Sequence, residues 1–118
     1  MRKPPSIDAY GDGGFRVAGV WLPGSLLLLD DQPLAWRPAT LADLAVADFD
    51  AVIAAGVAAS EFVLLGTGAV QALPPRDVRD AIRACGLGLE FMSTEAAART
   101  YNVLMSDGRR CAVALIAV

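Results

Sequence analysis

No histidine occurs in the 118 residues of this chain. A Ser-His-Asp or Cys-His arrangement is therefore impossible, and so is a histidine-ligated metal site. Proton transfer near neutral pH would fall to a perturbed carboxylate, lysine, cysteine or tyrosine. Cysteine is nearly as scarce. Cys85 and Cys111 are the only two, too few to make a zinc site alone. One falls in a helical pattern and the other opens an apolar strand, so both read as buried reduced thiols. Positive charge is short as well: 10 Lys and Arg stand against 13 Asp and Glu, for a net charge of −3. That balance lacks the basic patch from which phosphate-backbone affinity comes, so nucleic-acid binding is not expected. No uncharged apolar run approaches the ~18 residues needed to span a bilayer. The basic start Met1-Arg2-Lys3 leads into Pro4-Pro5-Ser6-Ile7-Asp8 rather than an apolar signal core. The expectation is a soluble cytoplasmic protein, not an integral membrane one, with no cofactor and no metal.

What is abundant is apolar side chain, at 55% of residues, against a usual share of about 45–50%. The length suits one domain over residues 1–118, with an interior covered on both sides. Ile7-Asp8-Ala9-Tyr10 and Phe15 to Val20 both alternate around Gly11-Asp12-Gly13-Gly14, which predicts an N-terminal β-hairpin with a glycine turn. Phe15 and Val17 share one face of it and Arg16 the other. Pro23-Gly24 then punctuates, and Leu26 to Leu29 reads as a strand covered on both faces. Asp30-Asp31-Gln32-Pro33 makes a turn, and Trp36-Arg37-Pro38 an extended approach. Thr40 is a good N-cap for a helix starting at Leu41. The alanine-rich stretch from Phe49 to Ala59 predicts a second helix, with Gly56 as a possible break.

The remaining half is more regular. Glu61 to Leu65 is a short apolar run ending in Gly66, as in a central strand. Pro75 suits a helix start. Val78, Ala81, Ile82 and Cys85 recur at i, i+3, i+4 and i+7, one apolar stripe closed by Gly86. Leu87, Leu89 and Phe91 alternate as a further strand. Ser93 or Thr94 caps a helix to about Met105, Asp107-Gly108 turns the chain, and Cys111 to Val118 is a buried final strand. Strand–helix–strand–helix–strand implies parallel pairing through crossover helices. The fold class is α/β: a compact three-layer domain with a central mixed, mostly parallel sheet, helices, and the N-terminal hairpin.

Two groups of residues are candidates for a ligand or partner site. Gly66-Thr67-Gly68 lies between a strand and a helix, where open α/β sheets bind ligands and where backbone amides can cradle an anion. The dinucleotide fingerprint is incomplete, since Gln71 stands where its third glycine belongs. No Lys-Ser/Thr pair follows, and Pro74 and Pro75 remove amide donors. The bland reading is a tight glycine turn. In the last helix Glu95, Arg99, Asn102 and Ser106 form one polar stripe, ordinarily a solvated face. Arg99, Thr100, Tyr101 and Asn102 crowd more hydrogen-bonding groups together than solubility needs, so a pocket or partner surface is the sharper reading. No catalytic set emerges.

Ile7-Asp8-Ala9-Tyr10-Gly11, Phe15-Arg16-Val17, Gly24 to Leu28, Trp36, Gly66-Thr67-Gly68, Gln71, Pro75 and Arg99-Thr100-Tyr101-Asn102 occur in that order. The chain thereby resembles the family called domain of unknown function 498, over nearly its whole length. Mitochondrial members of that family are assembly factors for respiratory complex I, the NADH:ubiquinone oxidoreductase. The resemblance implies a three-layer fold with a central mixed sheet, and no established catalytic residue or cofactor. It also implies a non-enzymatic, assembly-factor-like module near the inner membrane, whose unidentified protein partner could belong to a membrane complex. Glu95 and Ala98 depart from the Gly and frequent Cys expected there in relatives, so a redox role for that Cys is closed to this chain. The alternative is a small anionic-ligand-binding protein or an enzyme, using the Gly-Thr-Gly loop and the Arg-Thr-Tyr-Asn helix.

Overall fold

A computed structural model of the chain describes residues 3–118; Met1 and Arg2 of the basic start lie outside them. The first three strands, β1 (Ile7–Gly11), β2 (Gly14–Val17) and β3 (Val20–Pro23), form an antiparallel meander. Phe15 and Val17 are buried and Arg16 exposed, as the alternation predicts. Two-residue turns join these strands. Asp12 and Gly13 both have positive φ (53° and 78°), and so do Ala18 and Gly19 (49° and 82°). Paired positive φ values match the twist of flanking strands, and Asp-Gly is a favoured sequence for them.

The second sheet holds β4 (Ser25–Leu29), β5 (Gln32–Trp36), β6 (Phe62–Gly66), β7 (Gly88–Met92) and β8 (Cys111–Leu115), in the order β5-β4-β8-β6-β7. β6 pairs in parallel with β7 and β8, while β4 runs antiparallel to β8 and to β5. The sheet is therefore mixed, with its parallel pairs at one side. β3 and β5 are strands that the proline-bearing stretches Val20–Pro23 and Gln32–Trp36 do not announce, and both lie at sheet edges, where proline is tolerated.

Among the described residues three α-helices, α1 (Asp50–Ala59), α2 (Arg76–Ala84) and α3 (Thr94–Ser106), alternate with the later strands. Gly56 breaks α1 with φ 62° and ψ −161°. The helix expected from Leu41 is two short 3-10 turns, Leu41–Asp43 and Val46–Phe49, with Thr40 capping the first. β6 to β7 crosses the sheet one way through α2, and β7 to β8 crosses back through α3. Reversing direction at a common hand puts the two helices on opposite faces.

The central strands accordingly feed two cores. Leu27, Val63, Leu65, Ala112 and Ala114 pack with Phe49, Val52, Val78 and Ile82 beneath α1 and α2. Leu26, Leu28, Leu64, Val113 and Leu115 pack on the other face with Phe15, Val17, Ala97, Ala98 and Tyr101. The layers are helices α1 and α2, the five-stranded sheet, and a third layer shared by α3 and the meander. Both cysteines are half-buried.

Candidate functional site

The Gly66-Thr67-Gly68 loop sits at the carboxyl end of the central strand β6, against the first turn of α3. Gly66 leaves no room for a side chain: a Cβ there would lie 2.8 Å from Leu115 Cδ2 and 2.9 Å from the Thr94 Cα. Ser93 caps α3 by accepting from the Ala96 amide at 3.3 Å. Thr94, fully buried, does different work. Its hydroxyl donates to the Ile116 carbonyl at 2.7 Å and accepts from the Gly68 amide at 3.0 Å. Its own amide donates to the Gly68 carbonyl at 2.8 Å. One threonine thus ties the ends of β6 and β8 to the start of α3.

Thr67 closes the loop on itself. Its amide donates to the Met92 carbonyl at 2.8 Å, its hydroxyl reaches the Val70 carbonyl at 2.7 Å, and the Ala72 amide donates to that hydroxyl at 3.2 Å. The loop's conspicuous polar atoms are engaged in holding strand ends. What it shows to solvent is Gln71 together with Ala69, Val70 and Leu73, the last two 70% and 62% exposed.

Along α3, Glu95 and Asn102 of the polar stripe meet β1. Asn102 turns both ends of its side-chain amide onto one residue: Ile7 N–H donates to its Oδ1 at 2.9 Å, and its Nδ2 donates to the Ile7 carbonyl at 2.8 Å. Tyr101, buried, donates to the Pro5 carbonyl at 2.6 Å. Thr100 lies 3.4 Å from the Met92 sulfur. Tyr10 on β1 donates to Glu95 Oε1 at 2.7 Å. That hydrogen bond, followed by burial and the carboxylate's charge, raises the Tyr10 phenol above its ordinary value. Glu95 also faces Arg99 at 3.5 Å across one helical turn, both side chains largely exposed.

The structure therefore brings Gly66, Thr67 and Gly68 to the first turn of α3, and sends Tyr101 and Asn102 onto the N-terminal meander. Arg99 and Gln71 are the candidates left on the surface. An apolar groove of about 170 Å³, lined by Leu22, Pro23, Leu26, Pro33 and Leu34 among others, contains none of the candidate residues. Among the described residues no three His, Cys, Asp or Glu side chains cluster as for a metal ion.

Two features escaped the sequence. Ser25, buried, donates to the Pro38 carbonyl and accepts from the Ala117 amide at 2.9 Å, pinning the chain beyond β8. Arg37 grips Asp48 through Nε and Nη2, both at 2.7 Å. That guanidinium holds the Asp48 carboxyl below its ordinary value, with the Ala45 amide adding to the effect and burial opposing it. A serine after glycine and an Arg–Asp pair eleven apart carry no local signal of such contacts.

An uncharacterised protein of Rhodobacter capsulatus is 38% identical over 112 residues, covering 93% of this chain and 82% of its own. NADH dehydrogenase [ubiquinone] 1 alpha subcomplex assembly factor 3 of mouse is 31% identical over 113 residues; the match covers 93% of this chain and 59% of the mouse protein. Among solved structures, one described as an outer membrane protein from Bartonella henselae superposes with a TM-score of 0.89 at 33% identity, over 98% of this chain and 96% of that one. Residues 7–116 match the family described as protein of unknown function (DUF498/DUF598), and the chain belongs to that family.

Proposed function

We propose that this chain is a non-enzymatic protein-interaction module of the assembly-factor kind, acting beside a membrane complex. The partner surface is formed by the exposed parts of the Gly66–Gln71 loop and of α3. One observation carries the reading: apart from Gln71 and Arg99, the polar side chains of both motifs are spent inside the fold. Thr67 and Gly68 hold strand ends, Tyr101 holds Pro5 just ahead of β1, Asn102 holds Ile7 of β1, and Thr100 meets Met92. These residues act as scaffold for what remains outside, namely Gln71, Arg99, and the exposed apolar side chains Val70, Leu73 and Val103. A rigidly held loop that shows apolar side chains to water suits a protein partner better than a reaction.

The assembly-factor relative supports the same kind of role. No described helix is long and apolar enough to cross a membrane. The small-anion alternative has less support, because the Gly68 amide and Thr67 hydroxyl that would serve an anion already have partners.

The test is affinity capture of the tagged full chain from solubilised native cells, beside a Gln71→Ala/Arg99→Ala variant checked for an unchanged fold. The expected result is a protein enriched by the parent and lost about tenfold by the variant, of the size found for interface residues worth about 1.4 kcal/mol. Equal capture by both would move the partner surface elsewhere. Capture of nothing above control would remove the proposal.

A further inference from the structure

Two sheets have four edge strands, β1 and β3 in the meander, β5 and β7 in the larger sheet. An edge strand offers free backbone groups to any other strand unless something blocks it. Three of these edges are blocked. On β1, Asn102 occupies both the N–H and the C=O of Ile7, and α3 is tied to the same strand by Glu95 at Tyr10. On β3 and β5, two-residue turns fix which residues face outward. Val17 opposite Val20 and Leu29 opposite Gln32 close their hairpins, so Trp21 and Pro23, and Pro33 and Ala35, point away from the sheet. Each of these two edges thus carries a proline where an outward N–H would be.

Among the described residues β7 has no such block. In its parallel register Leu65 stands opposite Phe91, and Thr67 donates to the Met92 carbonyl. Gly88, Glu90 and Met92 therefore turn their backbone groups into the sheet, and Leu89 and Phe91 turn theirs outward. That leaves two donors and two acceptors at the i, i+2 spacing of a β-ladder. The side chains alternate in character too. Leu89 and Phe91 lie on the α2 face, half-buried against the core of Val63 and Leu65. Glu90 lies on the α3 face, exposed, and pairs with no Arg or Lys among the described residues.

Charge decides what fits. A second copy pairing antiparallel through its own β7 must set outward residues against outward residues. The register of greatest overlap sets Leu89 against Phe91, and with them Glu90 against Glu90. Like charges directly opposite oppose such pairing, and opposite charges favour it. We propose that the β7 edge accepts by strand addition an extended segment of a different polypeptide, in which a Lys or Arg opposite Glu90 is flanked by apolar residues opposite Leu89 and Phe91. Main-chain hydrogen bonds supply the affinity and the alternating side chains the choice of partner. This surface is additional to the loop and α3 surface proposed above, and rests only on the reading of the chain as an interaction module.

The experiment uses the full chain, immobilised, to select from a displayed library of random heptapeptides, in parallel with its Glu90→Lys and Glu90→Gln variants. Glu90 is exposed, so both substitutions leave the cores untouched. The parent is expected to enrich apolar–basic–apolar peptides and the Glu90→Lys chain apolar–acidic–apolar ones. A selected basic peptide should lose about tenfold in affinity on Glu90→Lys, and a smaller factor on Glu90→Gln. Titrating that peptide should shift the Leu89 and Phe91 amides and slow their hydrogen exchange. Four outcomes overturn the proposal: no enriched peptide, enrichment indifferent to the Glu90 charge, shifts centred on Gln71 and Arg99 instead, or self-association of the parent through β7. Loss of these peptides with capture through Gln71 and Arg99 intact would leave the earlier proposal standing. The reverse pattern would remove that proposal and keep this one.

Discussion

Ala18 is the residue whose backbone fits its side chain least well. Its φ of 49° opens the turn between β2 and β3, a conformation that costs an L-residue with a Cβ about 1–2 kcal/mol and that asparagine tolerates far better. The position is exposed, so nothing else rests on the methyl group. Ala18→Asn should stabilise the protein by about 0.5–1 kcal/mol, read as a higher urea midpoint with an unchanged slope. A lower midpoint would refute the turn assignment. Asp48 makes the opposite case, since its nearly buried carboxylate accepts two hydrogen bonds from Arg37 and one from Ala45. Asp48→Asn should cost about 2 kcal/mol at neutral pH, the range of one or two charge-assisted bonds. The pH dependence has a fixed sign. The folded carboxyl titrates below its ordinary value of 3.8, so its contribution is complete above that value and is lost as pH falls through the lower folded one. The gap between parent and Asp48→Asn should therefore be flat from neutral pH down to about pH 5 and close in stronger acid. A gap that widened on acidification would assign the shift the wrong direction.

Among the elements, α3 does the most joining, and two of its contacts separate packing from hydrogen bonding. Gly66→Ala places a methyl group within 2.9 Å of the Thr94 Cα, which is backbone and cannot swing aside. Overpacking of this kind costs about 1–3 kcal/mol. The loss should appear in thermal unfolding with both sheets affected alike. Asn102→Ala instead strands the N–H and C=O of Ile7, at about 2 kcal/mol. Its signature should be local: faster hydrogen exchange at Ile7 and its neighbours in β1, while β6 and β8 keep their protection. Asn102→Asp would keep the acceptor and lose the donor, setting a carboxylate against the Ile7 carbonyl, and should be no better than alanine. The elements themselves were legible to different degrees. α2, β7 and α3 followed from periodicity and capping, and β6 and β8 from unbroken apolar runs, because the former bury one face and the latter both. β3 and β5 were hidden by Pro23 and Pro33, which read as punctuation until the sheet order shows those strands at edges. The crowding of Arg99 to Asn102 was visible in the chain, but its object was not. Asn102 and Ile7 are 95 residues apart, and no local pattern announces a side chain that completes another element's ladder.

For the molecule as a whole, the decisive fact is that one sheet serves both cores. Val63 and Leu65 face α2 while Leu64 between them faces α3, and Ala112 and Ala114 alternate in the same way with Val113 and Leu115. The run of apolar residues in each of these strands told that both faces are covered. It did not tell that the meander would share the third layer with α3, since that depends on how crossovers reverse. A layer cannot leave such a sheet without exposing half of every central strand, so the meander and the helical face should unfold together. The two tryptophans report this directly. Trp21 lies on β3 of the meander, and Trp36 is buried on the opposite core, edge-on to Phe49 with ring centroids 5.4 Å apart. In Trp21→Phe and Trp36→Phe variants each remaining tryptophan watches one layer. Their urea midpoints, each compared with the circular dichroism of the same variant, should coincide, as a two-state transition requires. An earlier transition at Trp21 would mean that the meander opens on its own. The clamp from α3 to Ile7 would then be a latch that can release, and not a seam that fails only when the sheet does.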